Sequence, residues 1–227
     1  MSVLGRWRRS VGERGVAGTL LHLPAAALRP LGLAVLTRRS AARAPQIIAA
    51  ADPCVLNLGC GPERLPDCVN VDLYFPAELR LDLTRPLPLP DACVDAIVSQ
   101  HFIEHVPRAT GEQLIAECAR VLRPGGWLRV ATPDLEWMVR RYLQDIEHGD
   151  ADVADALNER MRAHDHVHIY DFAALAGLFA RAGLADVHRA APQESECAWL
   201  RGRESRLAGA SPEEVAQHLI VEGHRAG

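Results

Sequence analysis

The stretch Cys54-Val-Leu-Asn-Leu-Gly-Cys-Gly-Pro-Glu-Arg64, with Val69-Asn-Val-Asp72 just beyond it, decides the fold class. An apolar run (Val55, Leu56, Leu58) ends in Gly59-Cys60-Gly61, and a second short run ends in an acid, Asp72. Parallel α/β sheets build nucleoside sites from these parts. Glycines at the carboxyl end of the first strand let the backbone approach a ligand. A carboxylate at the end of the next strand accepts bonds from ribose hydroxyls. The loop alone is a weak signal, but loop and acid with further strands in order behind them are a strong one.

Spacing separates two kinds of nucleoside. A dinucleotide site wants three glycines, a full helix whose N-terminus faces a pyrophosphate, and an acid about 20 residues on. Here the third glycine position is Glu63, an anion where the pyrophosphate would sit. Only Pro62 to Val71 separate Gly61 from Asp72, and two of those residues are prolines. A βαβ crossover needs roughly 10–12 residues or more, so the connecting helix has room for a turn or two at most. A phosphate-free nucleoside such as S-adenosylmethionine fits better than NAD.

Further motifs follow in order: Leu81-Asp-Leu-Thr84, Leu87-Pro-Leu-Pro-Asp91, Val94-Asp-Ala-Ile-Val98, Glu104-His-Val106 and Val121-Leu-Arg-Pro-Gly-Gly-Trp-Leu-Arg-Val130. With Asn57-Leu-Gly-Cys-Gly-Pro62 and Val69-Asn-Val-Asp72, the chain resembles a class I S-adenosylmethionine-dependent methyltransferase of the type 11 sort. The likeness is nearest to a bacterial subgroup with a shortened first helix, many of whose members lie near polysaccharide genes. It runs from about Cys54 to Val221. It implies a Rossmann-like α/β sheet, mostly parallel with an antiparallel C-terminal strand pair, and S-adenosyl-L-methionine as cofactor. On the cofactor side it implies backbone contacts from Gly59, Cys60 and Gly61, with Asn57 near the methionine head. Asp72 would take the ribose, Leu73 would pack on adenine, Asp82 and Leu83 would meet the adenine edge, and Gln100 would lie beside the methyl donor. Asn57 is a departure, since many relatives carry Asp or Glu there. The motifs specify cofactor and reaction type but not acceptor. By fold-level analogy the acceptor is a small molecule, sugar or lipid-linked compound, methylated at oxygen. The alternatives are a non-catalytic cofactor-binding or membrane-associated scaffold and, less well supported, a nicotinamide oxidoreductase.

Composition sets the outer bounds. A chain of 227 residues with 48% hydrophobic content can bury one sizeable core. The six cysteines show no CxxC pair and read as reduced thiols of a cytoplasmic protein. Cys60 reads as a small residue in a tight turn, not a reactive thiol. All 25 basic residues are arginine, which reads as codon bias of a GC-rich genome. Residues 1–51 hold eight arginines and one acid, a charge of +7; the remainder holds 17 arginines and 28 acids, −11. The organisation is therefore an N-terminal extension (1–45), basic and partly apolar, and a methyltransferase domain (46–227). Pro24, Arg29 and Pro30 break the apolar middle of the extension, so it falls short of a membrane span. It reads as a lid or brace on the domain, with peripheral contact to an anionic membrane as the alternative. Nothing points to a nucleic-acid partner, and the oligomeric state is not legible.

Along the domain, strands are expected at Val55–Leu58, Val69–Asp72, Arg80–Leu83, Val94–Ser99, Trp127–Ala131, Asp186–Ala190 and Ala216–Val221. A helix is expected around Gly111–Val121, where Leu114, Ile115, Cys118 and Val121 recur at helical spacing, and Pro124-Gly-Gly126 turns it into a strand. Residues 132–171 are too long for a simple connection. Helices from Leu135 and over Ala151–Met161 make this insertion the natural acceptor-binding region. Phe172–Ala182 reads as a helix stopped by Gly183, and the polar stretch Gln193–Pro212 reads as a long, mobile loop.

Two histidine groups carry the candidate chemistry. His101-Phe-Ile-Glu-His105 matches a zinc-protease pattern, but that motif needs a long helix of its own, and Pro107 closes this one. Some methyltransferases bind a metal here through an acid–acid–His set. His101 stands in place of the first acid, so no metal is assigned and Glu104 and His105 are read as a brace, with a metal site of His101, Glu104 and His105 as the alternative. His101 is then expected to face the acceptor. In His164-Asp-His-Val-His168, alternation in an extended segment would point the histidines one way. His166 matches a histidine that relatives keep before a Tyr-Asp pair and is favoured over His101 as the catalytic base.

Overall fold

The computed structural model describes residues 33–204 and 207–227. Its sheet has six strands: β1 (Val55–Leu58), β2 (Val69–Val71), β3 (Val94–Gln100), β4 (Leu122–Pro133), β5 (Leu184–Arg189) and β6 (His218–Arg225). Their order is β2-β1-β3-β4-β6-β5. The first four run parallel, and β6 is antiparallel to both β4 and β5. The helices are α1 (described over 33–49), α2 (Arg108–Val121), α3 (Leu135–His148), α4 (Val153–Arg162), α5 (Phe172–Arg181) and the short α6 (Pro212–Ala216). This is the mostly parallel, Rossmann-like α/β sheet with an antiparallel C-terminal strand pair that the motifs imply.

One expected strand is reduced to a single bridge. Arg80–Leu83 forms no strand; only Leu79 pairs, in parallel, with Val71. β2 is three residues long, and Asp82 turns the chain away by accepting from the Thr84 N–H at 3.0 Å. The burial survives the loss of pairing, since Leu79, Leu81 and Leu83 all lie in the core.

Every residue of β1 is buried, so both faces of the sheet are covered. On one face Leu56, Leu58, Ile97 and Leu128 share a core with Ala44 and Ile48 of α1, Leu114 and Ile115 of α2, and Leu175 and Phe179 of α5. In α1 the sheltered positions 37, 40, 41, 44, 47 and 48 recur at three- and four-residue spacing. The Arg80 backbone N–H also donates to Ser40 Oγ at 3.0 Å. The end of the N-terminal extension is thus a brace running through residue 45 into the domain. Residues 1–32, with most of its charge, lie outside the described residues. No described helix is long and apolar enough to cross a membrane.

The other face is covered differently, because residues 59–68 hold no helix at all. Asn70 holds that short crossover instead. Its amide oxygen accepts from the Leu65 N–H at 2.8 Å and from Asn57 Nδ2 at 2.9 Å, and its NH2 donates to the Leu65 and Cys68 carbonyls. Val55, Ala96 and Val98 are left to pack on Leu65, Cys197 and Leu200. The segment after β5 therefore fills the place of the missing helix.

That corrects the reading of Gln193–Pro212 as a mobile loop. Its first half is anchored by Arg129 of β4, which is fully buried and paired with Glu204 and Glu222. The same guanidinium donates to the carbonyls of Ala191 (2.9 Å) and Glu194 (2.7 Å). An arginine-rich sequence looks like a solvated loop until the carboxylate that pins it is known to be buried. Arg129→Ala leaves two buried carboxylates without a counter-charge, and is expected to cost about 3–5 kcal/mol in denaturant unfolding and to open residues 190–204 to proteolysis. A loss below about 1 kcal/mol would show that the network does not hold the segment.

Candidate active site

β1 leaves toward β2 on one side, and the chain returns to β3 on the other. The cleft opens at the carboxyl ends of these two strands, the switch point where open α/β sheets take ligands. It measures about 260 Å3 and is lined by Asn57, the loop Gly59–Glu63, Gln100, His101, His105, His164 and His166.

The loop wall is shaped by backbone. Gly59 has φ 67°, and a Cβ there would stand 2.6 Å from the Phe102 ring, so only glycine passes beneath it. The Gly59 and Cys60 N–H groups both turn back to the Val71 carbonyl. Gly61, φ 56°, meets nothing within 4 Å on its open side, which leaves room for a ligand against the backbone. Burial, reinforced by the Asp72 charge, pushes the Cys60 thiol up to about 11, in keeping with a packing role. Asp72 clamps the loop: its carboxylate accepts from the N–H groups of Gly61 (2.9 Å), Tyr74 (2.7 Å) and Phe75 (2.9 Å). A carboxylate offers about four acceptor sites, so one remains beyond these three.

The opposite wall is histidine over a buried acid. His101 follows β3 directly in the left-handed region, φ 51°, which is costly for a residue with a Cβ. Its N–H donates to the Ala131 carbonyl at 2.9 Å, and its Nδ1 lies 3.0 Å from Glu104 Oε1. Glu104 is fully buried in the single turn Ile103–His105, and its Oε2 accepts from Thr132 Oγ1 at 3.0 Å. Burial alone would raise this carboxyl, but the bond from His101 and the nearby imidazoles hold it below the usual range. The Glu104 carbonyl in turn accepts from the N–H groups of Val167 (2.7 Å) and His168 (3.1 Å), pinning the second histidine segment to the first.

His166 stands beside these groups, its ring 5.2 Å from that of His105. Its Nδ1 is buried without a partner. Burial, with the nearby His105 and His164, holds its imidazole below the ordinary value against the pull of Glu104. One ligand atom each from Glu104, His105 and His166 lies within 4.8 Å of the others, a set that could hold a metal ion.

Of the residues named from sequence, Asn57, Gly59, Cys60, Gly61, Gln100, His101 and His166 line this cleft. Gln100 is fixed there by a 2.9 Å bond from its Nε2 to the Arg203 carbonyl. Asp72, Leu73, Asp82 and Leu83 do not line it. Leu83 belongs to the core, and Asp82 is engaged by Thr84 and Arg85. The 164–168 segment is not extended: His164 and Asp165 both have positive φ, in a tight turn. His164 and His166 still reach the cleft, whereas His168 packs on Tyr170. Sequence reasoning left out His105 and His164 as lining residues. Their nearness in sequence to His101 and His166 was the available signal.

A family model described as a methyltransferase domain matches residues 66–130. A protein of Mycolicibacterium smegmatis named "Probable S-adenosylmethionine-dependent methyltransferase" is 52% identical over 61 residues, 27% of this chain and 23% of that protein. One of the same description from Mycobacterium tuberculosis is 50% identical over 48 residues, 21% of this chain and 17% of that one. The matches thus span less than a quarter of those relatives' length. Among solved structures, an S-adenosylmethionine-dependent methyltransferase from Mesorhizobium loti aligns at TM-score 0.49 with 17% identity, over 76% of this chain and 90% of that one. Residues 66–130, from just before β2 into β4, thus match a methyltransferase domain.

Proposed function

We propose that this protein transfers a methyl group from S-adenosylmethionine to an oxygen of a small-molecule, sugar or lipid-linked acceptor. The observation that carries the reading is one cleft lined by the glycine loop, by Gln100 and by four histidines. In the transfer the acceptor oxygen attacks the methyl carbon, the carbon–sulfur bond breaks, and the sulfonium becomes a neutral thioether. The displacement needs position above all, and a base for the hydroxyl proton.

Of the two histidines named from sequence, His101 has the orienting partner. With Nδ1 directed at Glu104, its Nε2 is the nitrogen left to take the proton. The strain at His101 is consistent with a residue kept for its position. His166 completes the acceptor wall, and the insertion 132–171 supplies the acceptor's surroundings. Asn57, Gly59, Cys60, Gly61 and Gln100 hold the methionine part of the cofactor. Asp72, Leu73, Asp82 and Leu83 hold its ribose and adenine, once the 73–83 segment adjusts to admit them.

S-adenosylmethionine or its demethylated product is expected to raise the melting temperature, by mass action, where NAD does not. Asp72→Ala is expected to weaken cofactor binding by about 1.5–3 kcal/mol in calorimetry. Stabilisation by NAD alone would refute the assignment.

His101→Asn, which tolerates the left-handed backbone, is expected to lower turnover with labelled methyl donor by about 10²–10⁴-fold at nearly unchanged cofactor affinity. Unchanged turnover would remove His101 from the reaction.

The +7 charge of residues 1–51 supports a second element of the reading, reversible contact with anionic membrane through the N-terminal extension. Co-sedimentation with vesicles is expected to require anionic lipid, to fall with salt and to vanish on deletion of residues 1–32, which spares the described part of α1. Equal binding to neutral vesicles would refute it.

A further inference from the structure

We infer that Glu104, His105 and His166 form a binding site for a divalent transition-metal ion in the acceptor wall of the cleft. This departs from the sequence reading, which took Glu104 and His105 as a brace and, in its alternative, drew the ligands from His101, Glu104 and His105. The departure rests on where the fold puts His166. Sixty-one residues beyond His105, it returns beside it because Val167 and His168 donate their N–H groups to the Glu104 carbonyl. Ligand atoms of the three side chains then fall within 4.8 Å of one another.

Three features separate this set from a chance cluster. The carboxylate is fully buried and oriented by Thr132 and His101, so it is held in place as a ligand by outer hydrogen bonds. His166 keeps a buried ring nitrogen, Nδ1, with no hydrogen-bond partner, although buried polar atoms ordinarily have one. A metal ion would satisfy it. And the set offers three protein ligands, with His105 and His166 lining the cleft. Three ligands and an open side are the arrangement of reactive metal sites, whereas structural sites close with four.

Two imidazoles and one carboxylate suit zinc, cobalt or iron(II) over magnesium or calcium, which prefer all-oxygen sets. An ion so placed would bind the acceptor hydroxyl and lower the cost of removing its proton. His101, which is outside the ligand set, would take that proton.

The test is metal binding by the full chain, read without cofactor or acceptor. Chelator-treated protein titrated with Co2+ is expected to bind about one ion per chain and to develop visible absorption bands, which Zn2+ then displaces. His105→Ala and His166→Ala, both at half-exposed positions, are each expected to weaken binding at least about tenfold while His148→Ala on α3 leaves it unchanged. Circular dichroism of the metal-free variants checks that they fold. Absence of Co2+ and Zn2+ binding, or binding that survives both cleft substitutions, overturns the inference. Because no step of this measurement needs methyl transfer, its failure and that of the proposed activity are told apart.

Discussion

The ten-residue crossover between Gly61 and Asp72 is the constraint on which the rest of the structure depends. It is too short for a helix that could cover the sheet, so Asn57 and Asn70 tie it down by side-chain hydrogen bonds. The uncovered face then has to be filled from elsewhere in the chain. The segment 190–204 fills it, at the cost of burying an arginine with two glutamates. Burying charge is expensive unless it is paired and hydrogen-bonded, and Arg129 meets that condition with two carboxylates and two carbonyls. The same segment then reaches the cleft, where the Arg203 carbonyl holds Gln100. A shortened connection at one edge thus determines which part of the chain positions a residue at the centre.

The cleft divides its labour by chemistry. One wall is the glycine loop, where Gly59 and Gly61 bring backbone to the cleft, as close approach to a ligand requires. The other is a layer of imidazoles over one buried carboxylate. A buried acid is tolerated only where its lone pairs are used, and Glu104 has His101 and Thr132 on its two oxygens. The acid fixes the imidazole above it, and its carbonyl fixes the segment that carries the remaining histidines. Each half of the wall therefore depends on the other, although about 60 residues separate them.

Much of this was legible in the sequence, for identifiable reasons. The glycine loop, Asp72 and the helices of the 108–181 region announce themselves through local rules: turn chemistry, strand ends and helical spacing. The lack of a helix over 59–68 followed from a count of residues. What escaped was long-range. Nothing local marks Arg80–Leu83 as unpaired, because its alternating leucines are buried with or without a ladder. Nothing local marks Glu204 as buried, since its partner lies 75 residues away. The reversed backbone at His164 and Asp165 broke the expected alternation, so His168 left the cleft while His164 and His166 stayed.

The most direct test of the account is hydrogen exchange at amide resolution, with and without S-adenosylhomocysteine. The account predicts slowed exchange in two separated segments at once, Gly59–Glu63 and Gln100–Val106, which form the two walls of one cleft. Protection elsewhere, with neither segment changed, would contradict it.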